Sequence, residues 1–305
     1  MGNALIQMLD LQGMLFIFII IGMVTGKKKL VTPEGRRCLT NLVLYVILPC
    51  NIVKSFIIEF SYRMLLNFAI ILLIATGVQI FCLLLSRFLF NRLDEDAKHI
   101  FQYATVCSNS GFMGYPMAES IYGLTGLSYA SIYLIPLRIA MWSAGLSYFA
   151  RAKNRRAMIL KVGLHPCMIA VYIGLLIMFL QVPLPVLITD TLDKLGGCCT
   201  AMSMLVVGML LMDVEWKTMV SIPNLLFCGL RLVLIPGVVY LVCKGLQIDP
   251  LITGVSVILS GMPAGTTTAL LAAQYHGDAQ LASKVVVLST LLSLFTITGW
   301  CFLLQ

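Results

Sequence analysis

Long apolar runs separated by short polar breaks fill the whole chain. The runs lie near residues 5–26, 38–58, 64–86, 99–122 and 127–149, then 162–181, 192–212, 219–243, 250–275 and 281–303. Each is close to the roughly 20 residues that a helix needs to cross the hydrocarbon core of a bilayer. Backbone polar groups in hydrocarbon must be satisfied within the segment itself. The polar–apolar alternation of a membrane barrel is missing. The pattern therefore predicts an all-α membrane protein with ten transmembrane helices. The connections are too short for a soluble catalytic or DNA-binding domain.

Composition narrows this further. Of 305 residues, 60% are apolar and only 11% charged, against about 25% charged in an ordinary soluble domain. With a mean hydropathy of +0.97, a soluble globule, a disordered chain and a coiled coil are all excluded. A formal net charge of +8 would suggest nucleic acid in a soluble protein, but the distribution decides otherwise. Fifteen of the 21 basic residues fall in loops on one side: Lys27, Lys28, Lys29, Arg36, Arg37, Arg87, Arg92, Lys98, Arg151, Lys153, Arg155, Arg156, Lys161, Lys217 and Lys284. The other side has Arg63, Lys194 and Lys244. Positive loops stay inside, so the basic side is expected to be cytoplasmic, with both termini outside the cell membrane. No nucleic-acid partner is expected. The ten cysteines show no CxxC spacing and read as small buried apolar residues rather than metal ligands or disulfides. The first run lacks the basic flank of a signal peptide and is expected to remain as a span. Ile6 stands where a myristoylation signal needs Ser or Thr.

The two halves resemble one another. Ser110-Gly111 recurs 150 residues later as Ser260-Gly261, and prolines follow at Pro116 and Pro263. Gly123, Leu127 and Ala130-Ser131 answer to Gly277, Leu281 and Ala282-Ser283. Five spans per half force the second copy to insert upside down. The expected organisation is a first repeat over 1–149, a cytoplasmic linker over 150–161 and an inverted repeat over 162–305. Inverted repeats are a transporter signature, with the site at the midplane of the repeat interface.

The fourth and ninth spans contain the candidate chemistry. Cys107-Ser108-Asn109-Ser110-Gly111-Phe112-Met113-Gly114-Tyr115-Pro116 is a poor helix, and so is Gly261-Met262-Pro263-Ala264-Gly265-Thr266-Thr267-Thr268. Gly costs about 1 kcal/mol and Pro about 3 kcal/mol in a helix interior. Non-helical backbone at membrane depth survives only against protein or a wet cavity. Both spans are therefore expected to break into half-helices. Pro116 and Pro263 suit the first turn of the second half-helix, where a missing N–H costs nothing. The half-helix N-termini would offer positive dipole ends and free amides to an anion. Asn109 is the leading substrate contact, since its side-chain amide both donates and accepts. Ser110, Gly111, Gly114, Gly265 and Thr266 complete the candidate lining.

Ionisable residues inside the spans point the same way. Arg138, Arg231 and Lys54 face a single buried acid, Glu119, and each charge at the bilayer centre costs at least about 2.5 kcal/mol. The excess of two positive charges favours an anionic substrate, with Arg138 and Arg231 as candidate contacts. Arg231 could instead pair with a carbonyl or with Glu119, and Lys54 could snorkel to the outer interface. Glu119 is a candidate for a coupling proton. His99 and His276 sit at loop edges, and His165, before Pro166, reads as a helix cap. No HExxH, GxSxG, P-loop or paired-carboxylate arrangement occurs, so neither an enzyme nor an ATP-driven pump is expected, and no metal or other cofactor.

At this point the sequence resembles the auxin efflux carrier family. The resemblance rests on Leu48-Pro49, Asn109-Ser110-Gly111, Gly114-Tyr115-Pro116, Tyr122-Gly123, Trp142-Ser143-Ala144-Gly145, Arg231 with Pro236, Pro263, Tyr275, Gly277-Asp278, Leu281-Ala282-Ser283 and Ser289-Thr290. It covers nearly the whole chain and is nearest to the bacterial malate or malonate permease-like members. The short central loop likewise points to a prokaryotic member. The resemblance implies two inverted five-helix repeats, similar in fold to plant PIN carriers and sodium–bile acid symporters. It also implies a substrate site where broken helices four and nine cross, at Asn109, Pro116 and Pro263, and an elevator-type motion. A homodimer is suggested by the resemblance alone; Gly22 and Gly26 form a lone GxxxG. The third span has no acid, Gln79 being its most polar interior residue, so the coupling ion (H+ or Na+) stays open. The expected function is a secondary transporter of a small organic anion, with a non-transporting sensor or partner-binding protein on the same fold as the alternative.

Overall fold

Helices occupy nearly all of the residues that the computed structural model describes: 2–57, 61–141, 148, 164–181, 183–210, 219–275 and 277–304. We number them α1 (Gly2–Lys27), α2 (Pro33–Ser55), α3 (Tyr62–Phe88), α4 (Glu95–Val106), α5 (Tyr115–Ala140), α6 (Pro166–Leu180), α7 (Val186–Met209), α8 (Ile222–Gly245), α9 (Pro250–Ser260), α10 (Thr267–Gln274) and α11 (Ala279–Leu303). Among the described residues, α2, α3, α7, α8 and α11 are each long and apolar enough to cross a membrane. The protein is an integral, multi-pass membrane protein.

Local chemistry sets the boundaries. Side chains of Thr32, Asp94, Ser221, Asp249 and Asp278 accept hydrogen bonds from amides of the helices they precede, satisfying donors that a helix start leaves orphaned. Thr32 with Pro33 starts α2 earlier than the apolar run suggests, so Arg36 and Arg37 are helical rather than in a loop. Arg36 Nη1 donates to Met209 O at 3.1 Å. Similarly, α7 begins at Val186 and takes in Asp190, Asp193 and Lys194. Asp193 pairs with Lys54, so one of the three intramembrane cations already has a partner, and the excess inside the spans falls from two charges to one.

Three wide π-turns occur among the described residues, Val43–Ile47 in α2, Ser110–Gly114 leading into α5 and Leu230–Leu234 in α8, and each is followed two residues later by a proline: Pro49, Pro116 and Pro236. Proline cannot donate to the carbonyl four residues back and its ring crowds that carbonyl. Widening the turn moves the preceding N–H to an acceptor five residues back, as in Tyr115 N to Ser110 O. α5 is itself bent at Gly123, where φ is +65°, a conformation glycine adopts freely. Residues 115–122 and 124–140 are thus two helical stretches that meet at this bend.

The helices sort into two groups by packing. α1 lies along the second half of α7, and α2 packs on α6 and on the first half of α7. Gly22 and Gly208 make the first contact possible: a Cβ at Gly208 would sit 2.1 Å from Ile19 O, and one at Gly22 2.2 Å from Leu205 O. Gly22 is therefore used inside the chain. In the second group, α3 packs on α4 and α5, α9 on α5 and α8, and α11 on α4 and α10. The groups meet through α2 against α5, α1 against α11, and α7 against the turn Ser110–Gly114.

Candidate substrate site

The two expected interruptions are present, and they meet. α4 stops at Val106, and residues 107–109 are non-helical before the turn Ser110–Gly114. α9 stops at Ser260, and α10 starts only at Thr267. The gaps pair antiparallel, with Ser108 opposite Ala264. Asn109 N donates to Pro263 O at 2.8 Å and Gly265 N to Cys107 O at 2.9 Å. Ala264 N donates to Ser289 Oγ of α11 at 3.2 Å. Backbone groups that would be costly in a bilayer are thereby satisfied by each other.

Glycine permits the close approach. A Cβ at Gly265 would lie 3.1 Å from Cys107 O and 3.2 Å from Ser108 O. One at Gly114 would lie 2.6 Å from Leu259 Cδ2, so Gly114 serves the packing of α9 on the turn. Pro116 sits in the first turn of α5 as expected. Pro263 does not open α10. It lies in the gap, buried, with its carbonyl accepting from Asn109. The pairing needs extended backbone and an acceptor at this position, and proline supplies both.

Several polar groups at this junction lack protein partners. Asn109 is 3% exposed and its Nδ2 has no hydrogen bond. Ser110, by contrast, is engaged: its Oγ donates to Leu259 O at 3.1 Å and lies 2.6 Å from Ser108 Oγ. Open space surrounds the position a Cβ would take at Gly111. The amides of Ser110, Gly111 and Phe112 open a helix and have no intrahelical acceptor. Thr266 is half-buried just before α10. Three buried hydroxyls without partners, Thr268 Oγ1, Tyr133 Oη and Ser256 Oγ of α9, are absent from the sequence-derived candidates. Thr268 belonged to the run of three threonines; nothing in the pattern around Tyr133 distinguishes it from a core tyrosine.

The charged candidates divide. Arg138 on α5 is 6% exposed; Nη2 donates to Tyr115 Oη at 3.1 Å, while Nη1 has no partner. Arg231 does not meet Glu119. Its Nε donates to Met262 O at 3.0 Å and its Nη1 to Thr105 O at 3.4 Å. Glu119 instead accepts from Asn51 Nδ2 at 2.9 Å, joining α5 to α2. His165 caps α6, its Nδ1 accepting from Cys167 N at 3.3 Å, and His99 lies beside Glu95. Residues 142–145, the linker over 150–161 and His276 lie outside the described residues.

Apolar helices long enough to cross a bilayer, with two interrupted helices paired at their breaks around unpartnered buried donors, are the build of a membrane transporter. The chain belongs to the membrane transport protein family, the auxin efflux carrier family, whose model matches residues 11–301. It is 24% identical to a protein of Methanocaldococcus jannaschii named an uncharacterized transporter, over 97% of this chain and 98% of that one. A second protein named an uncharacterized transporter, from Methanothermobacter thermautotrophicus, is 30% identical over 66% of each chain. A protein of Rhizobium meliloti named "Putative malonate transporter" is 23% identical over 95% of this chain and 93% of that one.

Proposed function

We propose that the chain is a secondary transporter that moves a small carboxylate, of malonate or malate size, by alternating access around the paired breaks. The observation that carries this is Asn109 Nδ2, buried and without a partner where two interrupted helices meet. Leaving such a donor unpaired costs about 1–3 kcal/mol, and a carboxylate oxygen offsets that cost. Arg138 supplies the matching charge. Its unpaired Nη1 is a charge-assisted donor, and of the intramembrane cations it alone is held by neither a carboxylate nor a backbone carbonyl among the hydrogen bonds described. The malonate relative supports the same substrate class. Ser110 and Gly111 contribute first-turn amides, and Gly114, Pro116, Pro263, Gly265 and Thr266 shape the junction.

The breaks recur at equivalent points of the two halves, which supports inverted five-helix repeats over 1–149 and 162–305, ten spans in all, with both termini outside. The division into two packing groups supports an elevator: α3, α4, α5 and α8–α11 would slide as a body against α1, α2, α6 and α7. Asn51–Glu119 joins the two groups and would break in that motion, which keeps Glu119 a candidate for coupling. A homodimer rests on the family resemblance alone.

Radiolabelled malonate uptake into proteoliposomes without ATP tests the reading. Saturable uptake that unlabelled dicarboxylates compete for is the expected result. Specific malonate binding without any flux, in either direction of gradient, would overturn it in favour of a sensor.

A further inference from the structure

α8 and α11 end, and α9 begins, around a crevice of about 190 Å³. A single water needs about 10–15 Å³, so a group of many atoms fits. The walls are Tyr240 and Lys244 of α8, Ile248 of the link to α9, Pro250 and Thr253 of α9, and Leu303 of α11. Lys284, near the start of α11, marks the opposite face of the membrane.

Lys244 places a cation in the crevice. Its Nζ lies 5.5 Å from the centre of the Tyr240 ring and donates to Tyr240 Oη at 3.4 Å. Tyr240 is one turn earlier in α8, so the ammonium reaches back along the helix. A lysine that snorkels to water would extend past the helix end. No carboxylate among the described residues lines the crevice. Asp249, the nearest acid in the chain, caps α9: its Oδ1 accepts from the amides of Leu251 and Ile252. The last carbonyls of α8 are satisfied as well, since Val242 O, Cys243 O and Lys244 O accept from the amides of Leu246, Ile248 and Gln247. Among the described residues, Lys244 therefore has a phenol partner and no counter-charge.

The flanks decide which anion is suited. Leu303 lines the crevice and is 58% exposed, and Leu241, next to Tyr240, is 67% exposed. On helices that cross a bilayer such surface faces lipid chains. Trp300 stands beside Tyr240, ring centres 6.2 Å apart, an aromatic pair of the kind enriched where membrane meets water. A cation between apolar flanks complements an amphiphile whose charge and chains are joined. A free dicarboxylate or phosphate would leave the flanks unused.

We propose that this crevice binds an anionic phospholipid, with the phosphodiester on Lys244 Nζ and Tyr240 Oη and the acyl chains against the flank at Leu303. Lysine serves phosphate as a point charge. The bound lipid ties the ends of α8 and α11 to the start of α9 and stabilises that part of the second packing group. The proposal does not depend on what the protein transports, and its test reads stability without flux.

The delipidated protein in neutral detergent is melted with phosphatidylglycerol, with phosphatidylcholine of the same chains and with glycerol phosphate, for the wild type, Lys244→Gln and Lys244→Arg. Lys244 is exposed, so both variants should fold. Phosphatidylglycerol at ten times its Kd should raise the wild-type melting temperature by about 3 °C, and neither of the other two compounds should match it. Lys244→Gln should lose most of that gain and Lys244→Arg should keep it. An equal gain in Lys244→Gln would put the lipid elsewhere, as at the basic loops of the other face, and overturns the proposal. So does an equal gain from phosphatidylcholine, which would make the charge irrelevant, or no gain from any lipid. A gain from glycerol phosphate that matches phosphatidylglycerol and is lost in Lys244→Gln would make this a site for soluble anions and equally overturns it.

Discussion

Asn109→Ala should separate binding from stability in a way that few buried substitutions do. In the free protein, Asn109 Nδ2 is buried without an acceptor, a state that costs about 1–3 kcal/mol. Alanine removes that cost and gives back part of it as a small void, about 1 kcal/mol for the missing group. The net change is between about zero and 2 kcal/mol in favour of the variant, so the melting temperature should hold or rise by up to about 6 °C. The substrate complex behaves oppositely. A hydrogen bond to a carboxylate contributes about 1.5–3 kcal/mol, so loss of this donor should raise the malonate Kd or KM about 10- to 100-fold. The two readouts are a thermal melt in detergent and the concentration dependence of uptake by proteoliposomes. A variant that melts more than about 5 °C lower would mean that Asn109 acts structurally. An unchanged KM would mean that the amide does not touch substrate. Either result refutes the reasoning.

Three other expectations follow from single contacts. Arg138→Gln should raise the malonate KM by at least about 10-fold while Arg138→Lys recovers part of it, because lysine keeps the charge but not the fork; equal kinetics for both would remove Arg138 from the site. Gly265→Val should abolish uptake and lower the melting temperature, since even a Cβ there lies 3.1 Å from Cys107 O and the branched methyls have no room; a fully active valine variant would contradict the pairing of the breaks. Gly208→Val drives a side chain against Ile19 O, 2.1 Å from the Cβ position, and overpacking of this kind costs about 1–3 kcal/mol or more. A normal elution profile and melt for that variant would deny the crossing of α1 on α7.

The interruptions were legible because Gly, Pro, Asn and Ser cluster there within otherwise apolar runs. Their pairing was not legible. Which carbonyl meets which amide depends on register between segments 150 residues apart, and this is why Pro263 fell in the gap rather than in the first turn of α10. The wide turns had a signal that went unused: Leu48-Pro49, Tyr115-Pro116 and Ile235-Pro236 each mark a place where proline forces the helix to change acceptor. Polar residues misled at the ends of spans. Arg36, Arg37 and Asp190 read as loop by hydropathy and Asp193 stood at the edge of its run, but the cap at Thr32 and the Lys54–Asp193 pair let the helices run through them. The charge count failed for the same reason, since a partner on another span is invisible in a single run. Arg231 was visible as a costly charge, yet its acceptors, Met262 O and Thr105 O, are backbone groups that no side-chain inventory includes.

The most direct test is a cryo-electron microscopy map of the protein in lipid nanodiscs with saturating malonate. The account predicts density for the dicarboxylate within hydrogen-bonding distance of Asn109 Nδ2, between the gap at 107–109 and the gap at 261–266, with both helices interrupted there. Density for malonate elsewhere, or α4 and α9 continuing unbroken through the bilayer with Asn109 bonded to protein, would contradict it.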